Sequence, residues 1–158
     1  MKSGAVAVGS RAPDFALPAT DGRDCRLADC RGRKAVLLFY RGHWCGACRA
    51  HLGALRRSYV LFEDAGAVVL PISSEPLSKA RESVERDTLP FAVLADESLT
   101  VIDRYGVRHD DEPDGRAIAR PAVFVIDREG IVRFAHVGEA PRDRPNHDLV
   151  LLALEAIP

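Results

Sequence analysis

An unbroken apolar run, followed closely by two cysteines, constrains the fold of this chain more than any other feature. Residues Ala35 to Tyr40 are all apolar or aromatic, and charged residues flank them on both sides. Such a run, without polar alternation, is typical of a strand that is buried on both faces of a sheet. A short loop containing Gly42 then leads to Cys45 and Cys48. The sequence therefore places a cysteine pair directly after a central strand.

A helix is predicted to begin near Cys45. Apolar side chains recur after it at spacings of three and four residues, which makes one apolar stripe on a helix; they are Leu52, Leu55, Tyr59 and Phe62. Residues 67–72 and 122–126 are two further apolar runs, and a turn at Gly130 joins the second of them to a partly alternating strand over residues 131–137. Strands and helices therefore alternate early in the chain, and a hairpin closes the sheet late.

The remaining signals complete an α/β pattern over a single domain, residues 1–158. Ser74 is predicted to cap a second helix, Asp96 or Ser98 a short third helix, and Asn146 the final helix. Alternation of strands and helices implies right-handed parallel crossovers. The expected fold is a central mixed β-sheet flanked by helices on both faces, with an N-terminal β extension.

Composition excludes several function classes. The formal net charge is -1, which gives no electrostatic basis for binding nucleic acid. No apolar run approaches the roughly 20 residues that a membrane span needs, and residues 1–7 lack the apolar core of a signal peptide. We therefore expect a cytoplasmic protein without a membrane partner, and in that compartment paired cysteines usually perform redox or metal chemistry.

The Cys45–Cys48 pair lies where a helix N-terminus can activate it. Unpaired N–H groups and the positive end of the helix dipole stabilise a thiolate, which is the nucleophilic form. The spacing of three residues brings one sulfur to the other, so that one can attack and the other can resolve. A zinc site is the alternative, because Cys25 and Cys30 together with this pair make four candidate thiolate ligands. Cys25 and Cys30 can otherwise be inert, form a secondary disulfide, or accept electrons from the main pair.

Several motifs, in the same order, resemble the peroxiredoxin-like branch of the thioredoxin superfamily, the alkyl hydroperoxide reductase/thiol-specific antioxidant group. They are residues 9–15, Asp21-Gly22, Phe39-Tyr40, Asp96 with residues 105–107, and residues 120–127 followed by Gly130. The resemblance spans roughly residues 9–140 and implies a thioredoxin-like fold. It also implies a thiol-dependent antioxidant oxidoreductase that needs no metal or organic cofactor.

Two motifs of that superfamily overlap on the cysteine pair and assign different roles. Trp44 to Cys48 resembles the thioredoxin motif Trp-Cys-Gly-Pro-Cys, in which Cys45 would attack and Cys48 would resolve. The peroxiredoxin motif Pro-x-x-x-Thr-x-x-Cys instead places Arg41 at the proline, Cys45 at the threonine and Cys48 at the peroxidatic cysteine. By the same resemblance, Arg120 would stabilise the thiolate, and Pro121 would match the thioredoxin cis-proline beside the pair.

The preferred hypothesis is a peroxidase in which Cys48 becomes a sulfenic acid and Cys45 condenses with it to a redox-active disulfide. Trp44 and Pro121 are the expected substrate-contacting residues, and Cys45, Cys48 and Arg120 the expected catalytic ones. A thioredoxin-type protein or a low-molecular-weight thiol would reduce the disulfide, and a homodimer is compatible with this hypothesis. The alternatives are a thioredoxin-like disulfide reductase with Cys45 as nucleophile, and a zinc-stabilised structural module.

Overall fold

The apolar run forms the central strand of a five-stranded sheet in the computed structural model, which describes residues 4–158. Residues 1–3, part of the segment examined for a signal peptide, lie outside it. The elements in chain order are β1 (Ala16–Pro18), β2 (Asp24–Arg26), a 3-10 turn (Leu27–Cys30), β3 (Lys34–Phe39), α1 (Gly46–Asp64), β4 (Ala67–Ser73), α2 (Leu77–Asp87), β5 (Leu94–Ala95), α3 (Thr100–Arg104), β6 (Arg108–His109), β7 (Ile118–Ala119), β8 (Ala122–Ile126), β9 (Val132–Val137) and α4 (His147–Glu155).

The sheet order is β5-β4-β3-β8-β9. The β3–β4 and β4–β5 pairs are parallel, whereas the β3–β8 and β8–β9 pairs are antiparallel. An antiparallel β1–β2 hairpin precedes this sheet, and β6 and β7 form a second small antiparallel pair. The predicted mixed sheet and N-terminal β extension are therefore confirmed. No helix within residues 4–158 is long and apolar enough to cross a membrane.

Both faces of β3 are covered, which explains why its sequence does not alternate. On one face, the Phe39 ring lies 5.4 Å from the Tyr105 ring and 5.9 Å from the Phe124 ring, measured between centroids. On the other face, Leu38 packs in a second cluster together with Leu55 of α1. Each face thus buries every other side chain of the strand, and the strand contributes to both halves of the core.

Two predicted helix starts differ from the structure. Ser74 does not cap α2, because Pro76, which has a fixed φ and no N–H to lose, takes the N-cap position itself. Leu99, rather than Asp96 or Ser98, occupies the N-cap position of α3, with φ of 62°. Asp96 still serves that helix, since its Oδ2 accepts a hydrogen bond of 2.8 Å from the Ile102 N–H.

Asn146 caps α4 as predicted. Its Oδ1 accepts a hydrogen bond of 2.9 Å from the Leu149 N–H, and its backbone is extended at φ -71° and ψ 161°. The helix packs against α1 through buried side chains that include Val150 and Leu154. The cap therefore fixes the end of α4 that adjoins the loop carrying Arg144.

Replacing Asn146 by alanine should lower the free energy of unfolding by about 1 kcal/mol, because the first turn of α4 loses a hydrogen-bond acceptor. Urea denaturation monitored by circular dichroism measures this difference. Asn146→Asp is the matched control, since it retains an acceptor and should unfold close to the unsubstituted protein. An equal loss of stability in both variants would contradict the assignment of the cap.

Candidate active site

The loop between β3 and α1 is held rigidly by groups from neighbouring elements. The Tyr40 N–H donates a hydrogen bond of 3.0 Å to the Ile72 carbonyl, which extends the pairing of β3 with β4. The His43 N–H donates a bond of 2.7 Å to one Glu75 carboxylate oxygen, and the His43 ring contacts the other. Arg86 of α2 donates to the His43 carbonyl at 3.4 Å. The backbone that leads into the cysteine pair is therefore anchored from a buried carboxylate and a second helix.

Cys45 occupies the N-cap position of α1. Its backbone is extended, and its Sγ accepts a hydrogen bond from the Cys48 N–H at 3.2 Å. Both cysteines are free thiols, with 4% of Cys45 and 0% of Cys48 exposed. The predicted helix start is thus confirmed, and the structure brings the two cysteines together in the first turn of that helix.

Two arginines donate to the two sulfurs. An Arg144 guanidinium nitrogen lies 3.4 Å from Cys48 Sγ, and the Arg41 backbone N–H lies 3.3 Å from the same atom. The Arg41 guanidinium reaches the other sulfur, at 3.7 Å from Cys45 Sγ. Each sulfur therefore has both a backbone N–H and a cationic side chain as hydrogen-bond donors, which favours negative charge at this site.

The two thiols differ in acidity. The pKa of Cys45 is lowered to about 5, first because the Cys48 thiol donates to its sulfur, and further by the Cys48 N–H and by Arg41. The pKa of Cys48 is raised, because its proton is shared with Cys45 and because the side chain is buried. These opposite directions favour a thiolate on Cys45 and a proton on Cys48, and the thiolate is the nucleophilic form.

Trp44 is held beside the pair by two cations. The guanidinium groups of Arg41 and Arg116 each lie 4.9 Å from the centroid of its ring, within the range of a cation–π interaction. Arg41 also forms an ion pair with Glu112, from the loop between β6 and β7. With 38% of Trp44 exposed, its ring forms part of the surface next to Cys45.

No hydrogen bond among residues 4–158 joins Arg120 or Pro121 to either sulfur of the pair. The Arg120 Nε donates to the Arg108 carbonyl at 3.4 Å, and its N–H donates to the Val107 carbonyl at 2.7 Å. Pro121 is buried, and its carbonyl accepts a bond of 2.7 Å from the Gly138 N–H. The expectation of a cis-proline is wrong, because every peptide bond in the described chain is trans. The guanidinium groups that contact the sulfurs belong to Arg41 and Arg144 instead.

Sequence reasoning missed Arg144 and left Arg41 without a role. Arg144 is 96 residues from Cys48 along the chain, in the loop before α4, and no local motif marks it. Arg41 was identified only as a departure from the family proline. Its position directly after the buried strand was the available signal, since a polar residue there must lie at the end of the sheet that carries the cysteines.

The four cysteines do not converge on one centre. Cys25 lies in β2 and Cys30 at the end of the 3-10 turn, close to the start of β3, whereas Cys45 follows the end of that strand. Within residues 4–158, no group of three or more histidine, cysteine or carboxylate side chains is arranged to bind a metal ion. The arrangement provides two separate thiol pairs in place of the four-thiolate site that a zinc ribbon requires.

The known proteins to which this chain is similar are thiol oxidoreductases and peroxiredoxins. The family model described as "AhpC/TSA family" matches residues 8–135. Thiol-disulfide oxidoreductase ResA of Geobacillus thermodenitrificans (strain NG80-2) is 35% identical over 130 residues, covering 82% of this chain and 68% of its own. Peroxiredoxin Bcp of Escherichia coli (strain K12) is 30% identical over 145 residues, with coverage of 90% and 92%. The solved structure of peroxidoxin BcpB from Mycobacterium tuberculosis superposes with a TM-score of 0.84 at 26% identity, covering 96% of this chain and 97% of that one. The predicted thioredoxin-like fold is therefore confirmed.

Alkylation of the reduced protein by iodoacetamide should show a Cys45 thiolate that forms with a midpoint near pH 5. Arg41→Met removes a positive charge next to the thiolate, so the midpoint should rise by about 1 pH unit. Mass spectrometry of the alkylated peptide at a series of pH values measures both midpoints.

Arg120→Met is the matched control for Arg41→Met. Because its guanidinium donates to the Arg108 carbonyl, its loss should leave the Cys45 midpoint unchanged. A shift in the Arg120 variant together with no shift in the Arg41 variant would restore the role that the family resemblance gave to Arg120.

Proposed function

The chain belongs to the AhpC/TSA family of oxidoreductases, and we propose that it reduces hydroperoxides with the Cys45–Cys48 pair. The observation that supports this most directly is the environment of the two sulfurs. Each accepts hydrogen bonds from a backbone N–H and from an arginine, Arg41 or Arg144. Positive charge at this place stabilises both a thiolate before the reaction and the developing negative charge on the leaving peroxide oxygen.

We assign the nucleophile to Cys45 and the resolving thiol to Cys48. Of the two thiols, Cys45 has the lowered pKa, and it is the one with any surface exposed to solvent. It also lies next to Trp44 in the chain, whose ring is exposed. Cys48 is fully enclosed and retains its proton. This assignment follows the thioredoxin motif and differs from the peroxiredoxin motif, which places the peroxidatic cysteine at Cys48.

The proposed reaction has three steps, which are attack on the peroxide, formation of the disulfide and its reduction. The Cys45 thiolate attacks the O–O bond, so that its sulfur becomes a sulfenic acid, while the other oxygen leaves as an alcohol or water after taking up a proton. The Cys48 thiol attacks the sulfenic sulfur, which forms the S–S bond and releases water. An external thiol reductant then returns two electrons and two protons to the disulfide.

A thioredoxin-type protein or a low-molecular-weight thiol is the proposed reductant. Its thiolate must reach a disulfide sulfur, and Cys45 is the sulfur nearer to the surface. We propose that the cycle operates in the cytoplasm, because thioredoxin and glutathione keep thiols reduced there.

A protein disulfide reductase is the second candidate function. Trp44 to Cys48 matches the thioredoxin motif except at Ala47, and the ResA relative is named as a thiol-disulfide oxidoreductase. In that reaction the Cys45 thiolate would attack a substrate disulfide, and Cys48 would resolve the mixed disulfide. The same nucleophile and the same resolving thiol serve both functions, so the substrate distinguishes them.

Single cysteine variants test the roles of the two sulfurs. Cys48→Ser should still react with hydrogen peroxide and accumulate a sulfenic acid on residue 45, because the nucleophile is present and its resolving thiol is absent. Cys45→Ser should lose rapid peroxide reactivity, since the remaining Cys48 thiol is fully buried and burial disfavours its thiolate. Trapping with dimedone followed by peptide mass spectrometry measures both. A sulfenic acid on Cys48 in the Cys45→Ser variant, formed as fast as in the reciprocal variant, would reverse the assignment.

Trp44 provides a direct test of the substrate. Its ring neighbours Cys45, so oxidation of the pair should change the fluorescence of this single tryptophan. Addition of stoichiometric hydrogen peroxide to reduced protein should give a fast change that a thiol reductant reverses. A silent response to peroxide, with rapid oxidation by a disulfide donor, would favour the disulfide reductase.

A further inference from the structure

Cys25 and Cys30 form a second thiol pair, remote from the first. Cys25 lies in β2, and Cys30 ends the 3-10 turn that follows it. The pair adjoins the start of β3, whereas Cys45 follows the end of that strand. Six residues of strand at about 3.3 Å each separate the two ends, so the pairs lie roughly 20 Å apart. Direct exchange between them is excluded by this distance.

A groove gives access to the second pair. Both cysteines line a cavity of about 410 Å³, which lies within the size range of small-molecule sites. Cys25 is half-buried and Cys30 is 6% exposed. The aromatic rings of Tyr59 and Phe91 line the same cavity. Charged side chains of both signs also line it; they are Arg23, Arg26, Arg33, Asp21, Asp24 and Asp29. A small molecule that enters the groove therefore meets two thiols, an aromatic wall and charges of both signs.

The environment of the pair divides the roles of the two thiols. The pKa of Cys30 is lowered to about 7, first by hydrogen bonding with the Cys25 thiol and further by the positive charge of Arg33. The pKa of Cys25 is raised by the same shared proton and by burial. At neutral pH Cys30 is therefore partly a thiolate, and Cys25 holds the proton beside it.

We propose that Cys25 and Cys30 are a second redox centre, which exchanges with low-molecular-weight disulfides and closes to an intramolecular disulfide. The Cys30 thiolate attacks one sulfur of the small disulfide, which forms a mixed disulfide and releases one small thiolate. The Cys25 thiol then loses its proton and attacks the Cys30 sulfur, so that the protein S–S bond forms and the second small thiol leaves. The protein pair is oxidised by two electrons, and the small disulfide is reduced by two.

The structure favours a disulfide over a peroxide as the oxidant at this pair. Cys45 and Cys48 each accept a hydrogen bond from a guanidinium group, which can stabilise a leaving oxygen. Within residues 4–158, no guanidinium hydrogen bond reaches Cys25 or Cys30. When it is protonated, Cys30 donates to the Arg26 carbonyl oxygen at 3.9 Å. Thiol–disulfide exchange needs a thiolate and a neighbouring thiol, which Cys30 and Cys25 can supply without a donor to a leaving oxygen.

The test uses the full chain with Cys45→Ser and Cys48→Ser, which silences the first pair. Incubation with oxidised glutathione at neutral pH should remove both remaining free thiols, and peptide mass spectrometry should find a Cys25–Cys30 disulfide. With Cys25→Ser added, a stable glutathione adduct should accumulate on Cys30, because no resolving thiol is left. With Cys30→Ser added instead, modification of Cys25 should be roughly tenfold slower or more, since burial and the nearby carboxylates of Asp21 and Asp29 still disfavour its thiolate.

The matched control oxidant is hydrogen peroxide at the same concentration, which should oxidise this pair much more slowly than oxidised glutathione. Thiols that stay free, or an adduct on Cys30 that never closes onto Cys25, would overturn the proposal. Mapping of all four cysteines in the unsubstituted protein gives a second measurement if the double variant does not fold. Because the two pairs are mapped separately, failure at Cys25–Cys30 is distinguishable from failure of the proposed function at Cys45–Cys48.

Discussion

The burial of β3 on both faces is the constraint on which the rest of this structure depends. A strand enclosed in this way cannot slip by one residue, because all of its side chains have fitted partners. Phe39 is locked between Tyr105 and Phe124 on one side, and Leu38 packs toward α1 on the other. The end of the strand is consequently fixed in space, and so is the loop that carries the chain to Cys45. The chemistry depends on distances of a few ångströms, and this rigid strand sets them.

Two arginines from distant segments complete the site, and they differ in whether a carboxylate neutralises them. Arg41 is neutralised in part by Glu112, while it also contacts Trp44 and Cys45. Arg144 has no carboxylate partner among the ion pairs of residues 4–158, and its second guanidinium nitrogen is buried without a hydrogen bond. Arg144 lies 3.4 Å from Cys48 Sγ. It is therefore placed to stabilise the negative charge on that sulfur when Cys48 loses its proton as the proposed resolving thiol.

Local patterns in the sequence predicted the main strands and the starts of α1 and α4, because these depend on short-range chemistry. The starts of α2 and α3 lie instead at Pro76 and Leu99. The run at Ala35, the N-cap at Asn146 and the helix start at Cys45 are properties of adjacent residues. Arg144 could not be predicted, because its position depends on how α4 packs against α1. The expectation for Arg120 came from a family register, and here that side chain donates to a carbonyl of β6.

The geometry at Cys45 also explains why two family motifs overlap there. The first residue of α1 requires an acceptor for an unpaired backbone N–H, and a threonine hydroxyl can fill that role as well as a sulfur can. In this chain the acceptor at the N-cap is the Cys45 sulfur, so the group that caps the helix is also the group that we propose as the nucleophile. Capping by a charged sulfur strengthens the hydrogen bond from the Cys48 N–H and lowers the pKa of Cys45 through the same contact. The helix start and the reactive thiolate are thus one interaction, and a substitution at residue 45 cannot alter the nucleophile without also altering the cap.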